Sequence, residues 1–394
     1  MAKIKVAVLA PCPFFIDRGT PIRIKRLASE MAEDFEIHVI CFHQGSDGSF
    51  PFKIHRTLPI PFQIKRSGAN ILKVLYDILL LLKATFVLRK EKIKIVDAHL
   101  HEGAFIGLLL RWFSGVKVIY NAHGTFVQEL VATGAVKKDS VLLRPLSWFE
   151  WTVEKNVDAI VAQSLLRRDE FVRKGHPESK VVVVEDVPEL DDFWLEEHQI
   201  DRELERQLRP NGEKLLIYSG GMEPYQGVDY LIAAFRLLAA QRNEVRLVLF
   251  GRPMESYRKL VADAGLTSRV VFVEHEPFER LPQYLKICDL GFALRLYGEN
   301  VPGKLPIYMA SGIAVVGTDL KGINTVIAEG NTGFLVPPDD VPRLARRISE
   351  LLDEPELLRQ VGLRGRMEAL RRYSREDVRR ELGQLYRRLA GVER

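Results

Sequence analysis

Two tandem doubly wound α/β domains are the fold class this sequence predicts, and three observations predict it. Short β-branched runs alternate with helical patterns through the first 190 residues. A polar, turn-rich stretch then interrupts the pattern. The alternation restarts after it and runs to about residue 373. Continuous apolar strands joined by helical crossovers argue for parallel sheets covered on both faces.

In the N-terminal domain, residues 1–188, six segments read as buried strands: Val6–Leu9, Ile37–Cys41, Ile93–Val96, Val116–Tyr120, Ala159–Ala162 and Val181–Val184. Pro21–Ala32 and Glu102–Phe113 read as helices between them. Residues 189–212 carry Asp191, Asp192, Glu196, Glu197 and the turn Pro210-Asn211-Gly212, and read as a linker with room for a short helix. In the C-terminal domain, residues 213–373, the strands are Lys214–Ser219, Arg246–Phe250, Arg269–Val273, Leu290–Leu294, Ala314–Gly317 and Gly333–Val336. Helices fit Val228–Gln241, Glu255–Ala264, Leu281–Ile287, Lys304–Ala310, Gly322–Glu329 and Val341–Leu352. Residues 374–394 read as one helix with the stripe Val378, Leu382, Leu385, Leu389, capped by Ser374, and expected to pack back toward the N-terminal domain.

Composition excludes several classes. The 394 residues are 47% apolar and 28% charged, ordinary for a soluble globular chain and enough for two cores. Cys12, Cys41 and Cys288 are too few and too scattered for a disulfide framework or thiolate metal site, which points to a reducing, cytoplasmic setting. The opening Lys3–Ala10 run ends at Pro11 and Pro13 and reads as a first strand, not a signal peptide. The longest apolar stretch, 69–88, is broken by Lys73, Asp77 and Lys83, too charged to span a membrane. A net charge of +5, with the C-terminal arginines interleaved with acids, gives no nucleic-acid patch.

Tandem doubly wound domains bind ligands in a central cleft, where the carboxyl ends of their strands face each other. Four post-strand loops therefore hold the candidate chemistry. The first, Pro11–Ile24, carries Gly19-Thr20-Pro21 at a helix start, with Thr20 as cap; it is either an ordinary turn or a close approach to an anion or a sugar hydroxyl. The second, Asn121-Ala-His123-Gly-Thr-Phe126, offers a histidine for a substrate hydroxyl or proton, and His99, His101 and Glu102 point to the same edge. The histidines match no zinc spacing, so no metal is expected. The third, Ser219-Gly220-Gly221 to Gly227, lets backbone approach phosphate but lacks the dinucleotide glycine pattern. The fourth, Arg295 to Leu305, has P-loop-like spacing through Gly298 and Gly303-Lys304, but Leu305 stands where a magnesium-binding hydroxyl belongs. A helix start there can still hold a diphosphate, with Arg295 and Lys304 as cations; the bland reading is a structural turn.

These loops, in this order, resemble a glycosyltransferase of the GT-B fold, two Rossmann-like domains, in the GT4 (group 1) family of retaining enzymes. The resemblance covers nearly the whole chain. It rests on Gly19–Ile24, Asp97–Ala104 and Ala122–Phe126, then on Gly227–Ile232, Lys304–Gly312 and Glu329–Pro338. It implies a nucleotide-sugar donor on the C-terminal domain, an acceptor on the N-terminal domain, and neither metal nor cofactor. Gly19 matches the glycine near the donor phosphates, His123 the histidine beside the transferred sugar, and Glu299 the first glutamate of the family's Glu-x7-Glu motif. His123 and Glu299 are thus the implied catalytic residues; Gly220, Gly221, Gln226, Gly303, Lys304 and Leu305 are donor-side, and Thr20, His99, His101 and Glu102 acceptor-side. Three positions depart from the pattern. The family's diphosphate-gripping Arg and Lys are replaced by Gly221 and Gln226, and its ribose-binding glutamate by Ile307. Each lost charge-assisted bond is worth roughly 1.5–3 kcal/mol. Arg252, Arg295 or Lys304 would have to supply the phosphate cations.

Residues 61–94 hold eight basic and two acidic residues around the apolar helix Ile71–Leu88. Such a helix either lies on an anionic membrane, at the inner face of the cell membrane, or packs in the core with solvated ends. The expected function is sugar transfer from a nucleotide sugar to a lipid-linked or cell-surface glycan acceptor. The alternatives are a non-catalytic GT-B protein that binds a glycan or scaffolds a partner enzyme, and an enzyme using a polyprenyl-phosphate sugar.

Overall fold

The computed structural model describes residues 3–15, 19–45, 48–61, 71–132, 136–137, 139–185, 190–298 and 301–392. The chain divides into two compact units: Met1–Val187 with Ser374–Arg394, and Pro188–Tyr373.

The first unit runs β1 (Lys5–Ala10), α1 (Gly19–Ala32), β2 (Glu36–Cys41), β3 (Lys53–Arg56), α2 (Ile71–Glu91), β4 (Ile95–His99), α3 (Leu100–Ser114), β5 (Lys117–Asn121), α4 (Phe126–Ala132), α5 (Leu143–Asn156), β6 (Ala159–Ala162), α6 (Leu165–Arg173) and β7 (Val181–Val183). All its strand pairs are parallel, in the order β3-β2-β1-β4-β5-β6-β7. β1 is buried along nearly its whole length because helices cover both faces, which is why its sequence is a continuous apolar run. β3 escaped the sequence reading: it is a four-residue edge strand, Lys-Ile-His-Arg, with no apolar signature. β4 begins and ends later than expected and continues through Asp97 and His99. Those residues therefore lie in the sheet, with His99 opposite Asn121, and not in a loop after it.

The second unit runs α7 (Arg202–Leu208), β8 (Lys214–Gly221), α8 (Val228–Ala239), β9 (Val245–Arg252), α9 (Glu255–Asp263), β10 (Val270–Val273), α10 (Leu281–Ile287), β11 (Leu290–Ala293), α11 (Lys304–Ser311), β12 (Ala314–Thr318), β13 (Phe334–Val336), α12 (Val341–Leu352) and α13 (Pro355–Arg372). Its parallel order is β10-β9-β8-β11-β12-β13. Two expectations fail here. The supposed linker is built into this unit: Leu190, Phe193, Leu204 and Leu208 are buried, and the Phe193 ring meets Phe278 at 5.8 Å. The supposed helix Gly322–Glu329 is only a 3-10 turn, Ile323–Thr325, because the segment ends where the Thr332 hydroxyl takes the Ala328 amide at 2.9 Å.

The last helix, α14 (Arg375–Leu389), belongs to the first unit. The Ser374 hydroxyl accepts the Asp377 amide as N-cap. Val378, Leu382, Leu385 and Tyr386 enter the core beside α1, with Tyr386 edge-on to Phe35 at 5.2 Å. In each unit the chain leaves one side of the first strand and returns on the other, so the strand order reverses at β1/β4 and at β8/β11. The crevice beyond the carboxyl ends of such strand pairs is where doubly wound sheets take ligands.

Candidate functional site

At the reversal point of the first unit, β4 and β5 deliver Asp97, His99 and Asn121 side by side, and the next turn carries His123. Leu100 adopts φ +62°, a left-handed conformation that costs an ordinary residue of order 1–3 kcal/mol. That sharp exit from the strand separates the two histidines flanking it. His99 Nδ1 lies 2.8 Å from His123 Nε2. On its other side, His99 Nε2 faces Asp97 Oδ1 at 3.9 Å. The Asp97 carboxylate accepts the Tyr386 hydroxyl at 2.6 Å and the Asn121 amide at 3.4 Å. Burial pushes Asp97 up to about 6, against the pull of those bonds and of Arg23. Burial, with Arg23 adding to it, pushes His99 down to about 3. Burial, then His99 and Arg23, holds His123 well below the usual imidazole value.

Both rings are therefore neutral at pH 7 and Asp97 is ionised. In the tautomer with the proton on His99 Nε2, on the side of the carboxylate, His99 Nδ1 accepts from His123 Nε2–H. His123 Nδ1 is then a lone-pair acceptor, suited to a sugar hydroxyl. Arg23, to which the sequence gave no role, is buried, with Nη2 donating to the Val184 carbonyl at 2.8 Å.

The other candidates on this unit divide. Gly19 is the first residue of α1, so Thr20 is inside the helix and not its cap; its side chain is half-buried. His101 is buried away from His123, 2.9 Å from the Tyr120 hydroxyl and 3.7 Å from Glu154. That environment is a buried network and not an acceptor surface. Glu102, at the start of α3, is paired with Lys73 of α2.

At the reversal point of the second unit, β8 ends in Gly220 and Gly221, and Arg295 follows β11. Gly220 has φ +122° and Gly251 on β9 φ +150°; a Cβ on Gly251 would collide with the Gly220 carbonyl oxygen. The glycines let two strand ends close together and leave space beside Lys304. The Lys304 ammonium lies 3.6 Å from the centre of the Tyr218 ring and 3.3 Å from where a Gly220 Cβ would sit. It is buried with no hydrogen-bond acceptor. Burial, with Arg295 adding to it, holds its pKa well below the usual lysine value. The Arg295 guanidinium is 5.5 Å from the Tyr225 ring, and burial lowers its pKa too. Two desolvated cations on aromatic faces, bordered by bare glycine backbone, make a strong anion site.

Other donor-side expectations do not match the geometry. The Leu305 amide already donates to the Pro302 carbonyl at 2.9 Å, and Pro306 has no N–H, so the start of α11 offers few free donors. Gly303 is exposed just ahead of that helix. Gln226 turns inward, its Nε2 donating to the Tyr225 hydroxyl at 3.2 Å. Arg252 is exposed at the end of β9, and Ile307 is buried in α11. Glu299 lies outside the described residues. Tyr218 and Tyr225 were given no role in sequence because tyrosines near a strand end look like core. A cavity of about 190 Å³ lined by Lys214, Cys288, Asp289 and Arg359 opens at the opposite, amino-terminal edge of this sheet.

Among the described residues, two clusters have metal-ligand chemistry: Glu36–His38–Glu91 and His101–Glu150–Glu154. In both, ammonium groups already sit on the carboxylates. Lys53 lies 2.6 Å from Glu36 and Lys5 3.2 Å from Glu91, while Lys174 lies 2.9 Å from Glu150 and 3.1 Å from Glu154. The lysines supply the positive charge that a metal would bring.

Residues 18–186 match the family model described as Glycosyltransferase Family 4, and residues 199–367 match Glycosyl transferases group 1. A D-inositol 3-phosphate glycosyltransferase of Nocardia farcinica is 30% identical over 162 residues, 39% of this chain and 36% of that one, so the match spans about a third of that relative. The N-acetyl-alpha-D-glucosaminyl L-malate synthase of Bacillus anthracis is 23% identical over 374 residues, 91% of each chain. Among solved structures, Anabaena HepE in complex with UDP-glucose superposes with TM-score 0.75 at 15% identity, covering 97% of this chain and 99% of that one.

Proposed function

Because this chain belongs to the group 1 glycosyltransferases, we propose that it is a retaining enzyme moving a sugar from a nucleotide-sugar donor to a lipid-linked or cell-surface glycan acceptor. The observation that carries this reading is the buried, acceptor-less ammonium of Lys304 beside Gly220. A buried charge without a hydrogen-bonded partner is costly, and a diphosphate supplies the acceptor that is lacking. Tyr218 holds the ammonium in place while no anion is bound. When the glycosidic bond breaks, negative charge grows on the leaving diphosphate. Lys304 and Arg295 are then pre-placed cations in a water-poor environment, where each acts most strongly. They replace the missing family cations at Gly221 and Gln226, and a working donor site is favoured over a non-catalytic one for that reason. The structural relative bound to UDP-glucose makes a uridine nucleotide the first donor to test.

On the first unit, His123 is assigned to a hydroxyl of the transferred sugar through its bare Nδ1. His123→Ala is expected to lower kcat/KM by roughly tenfold, the worth of one well-placed hydrogen bond, while the donor's dissociation constant stays within twofold or so. Steady-state kinetics with calorimetry on the same variant checks this.

The experiment that tests the reading is calorimetric titration of the protein with uridine and guanosine diphosphate sugars, with and without a chelator. One donor binding with Kd on the order of 1–100 μM, unaffected by chelation, is the expected result. No heat with any donor overturns the assignment.

A further inference from the structure

Three side chains beside Lys304 and Arg295 have no part in holding a diphosphate. The loop after β8 carries Glu223 and Tyr225, and the loop after β11 carries Tyr297. The two loops are tied together, the Leu296 amide donating to the Tyr225 carbonyl at 3.0 Å. Gly227 permits that approach. It sits at φ +74°, with Leu294 3.2 Å from where its Cβ would be. The Tyr225 and Tyr297 rings then stand 6.0 Å apart, tilted by 44°. Tyr225 is half-buried; its hydroxyl accepts from the Gln226 amide and its ring faces the Arg295 guanidinium. Tyr297 is 65% exposed and lies outside the core of this unit. Glu223 is exposed too, and its carboxylate folds back over Gly221, where a Cβ would collide with it. Its negative charge reaches both Lys304 and Arg295. An aromatic pair, a carboxylate and two cations therefore share the carboxyl end of β8 and β11.

We infer that Tyr297, Tyr225 and Glu223 form a subsite for a sugar ring carried on the diphosphate, the ring lying on the tyrosine pair and its vicinal hydroxyls donating to the Glu223 carboxylate. The inference rests on the reading of Lys304 and Arg295 as the diphosphate site. A sugar ring has C–H groups on its faces and hydroxyl donors at its edge. The C–H groups suit the negative face of an aromatic ring, and two neighbouring hydroxyls suit the two oxygens of a carboxylate. A carboxylate beside a phosphate site otherwise works against it, since it repels the anion that Lys304 and Arg295 attract. Hydroxyl donors on the same ligand offset that repulsion. A nucleobase fits less well: it also stacks, but the edge of uracil carries a single N–H donor among carbonyl acceptors. A nucleotide sugar has two rings of the required chemistry on its diphosphate, the ribose and the transferred sugar, and stepwise ligands tell them apart.

The test is calorimetric titration of the wild-type protein, Tyr297→Ala and Glu223→Ala with inorganic pyrophosphate, uridine diphosphate and UDP-glucose. Tyr297→Ala is expected to leave pyrophosphate affinity within twofold or so and to weaken a ring-bearing ligand by roughly tenfold. Glu223→Ala is expected to move the ligands in opposite directions. Pyrophosphate binds more tightly once the repelling charge is gone, whereas the ring-bearing ligand loses roughly tenfold relative to pyrophosphate. A loss that appears already with uridine diphosphate assigns the subsite to the ribose; one that appears only with UDP-glucose assigns it to the transferred sugar. The proposal is overturned if Tyr297→Ala changes no ligand, or if each variant shifts all three ligands equally, which is the behaviour of a rim that acts through charge or stability alone. Absence of heat with pyrophosphate in the wild-type protein is a different failure: it refutes the diphosphate site at Lys304 and the subsite with it.

Discussion

Lys304→Met is expected to weaken donor binding about ten- to a hundredfold and, at the same time, to raise the melting temperature of the empty protein. The two effects have one cause. The wild-type ammonium is buried against the Tyr218 ring, beside the Arg295 charge, with no hydrogen-bond acceptor. Methionine keeps the chain length and apolar packing and removes the charge, so the ligand-free protein no longer bears its desolvation. The donor loses a charge-assisted phosphate contact worth roughly 1.5–3 kcal/mol, about ten- to a hundredfold in affinity. The lysine pKa, held low by burial, rises when a diphosphate binds. Donor binding therefore takes up a proton at pH values where free Lys304 is partly neutral, and weakens as pH rises through that range. Calorimetry in two buffers of different ionisation heat measures the uptake, and thermal denaturation measures the stability gain. A variant that loses stability along with binding would show that Lys304 is a structural cation.

Glu154→Gln is expected to destabilise the first unit by about 3 kcal/mol at pH 7, toward the low end for breaking a buried ion pair because Lys174 retains Glu150 and some solvent. Glu154 sits at the centre of a buried network, 3.0 Å from His176, 3.1 Å from Lys174 and 3.7 Å from His101. Burial pushes its carboxyl up, but the bonds from His101, Lys174 and His176 outweigh it and hold the pKa below the ordinary carboxylate value of 4.5. A depressed carboxyl contributes stability above its unfolded pKa and loses it as pH falls toward the folded value. The gap between wild type and variant should therefore be full at pH 7 and shrink below about pH 4.5. Urea denaturation at pH 7 and pH 3.5 measures it. The same network holds the turn after His123: Glu150, one helical turn from Glu154, accepts the Val127 amide at 3.1 Å.

Most of the architecture was legible because period and apolar runs report what a doubly wound sheet must bury. The errors came where a residue's chemistry and its packing disagree. Asp97 and His99 look like loop residues, but Tyr386 and Asn121 satisfy Asp97 inside the sheet. Leu190 and Phe193 were hidden among acids and read as linker, though two apolar side chains suffice to anchor a segment. Within the site, the sequence offered Lys304 as one cation among three. Only geometry shows that it is buried and lacks an acceptor, whereas Arg252 is at the surface and the Leu305 amide is already used. The partner of Asp97 lies 289 residues away on α14, a pairing no local pattern can reveal.

That distant pairing bears on how the polypeptide acquires its shape during synthesis. The second unit is one uninterrupted segment, Pro188–Tyr373, whereas the first needs Ser374–Arg394 to finish. Until α14 leaves the ribosome, Asp97 lacks the Tyr386 hydroxyl and the α1 side of the sheet lacks the part of its apolar cover that α14 supplies. The later-made half can settle while the earlier-made half waits, the reverse of the usual N-terminal-first order. A nascent chain halted before α14 would display an unsealed sheet face, the kind of surface that chaperones hold.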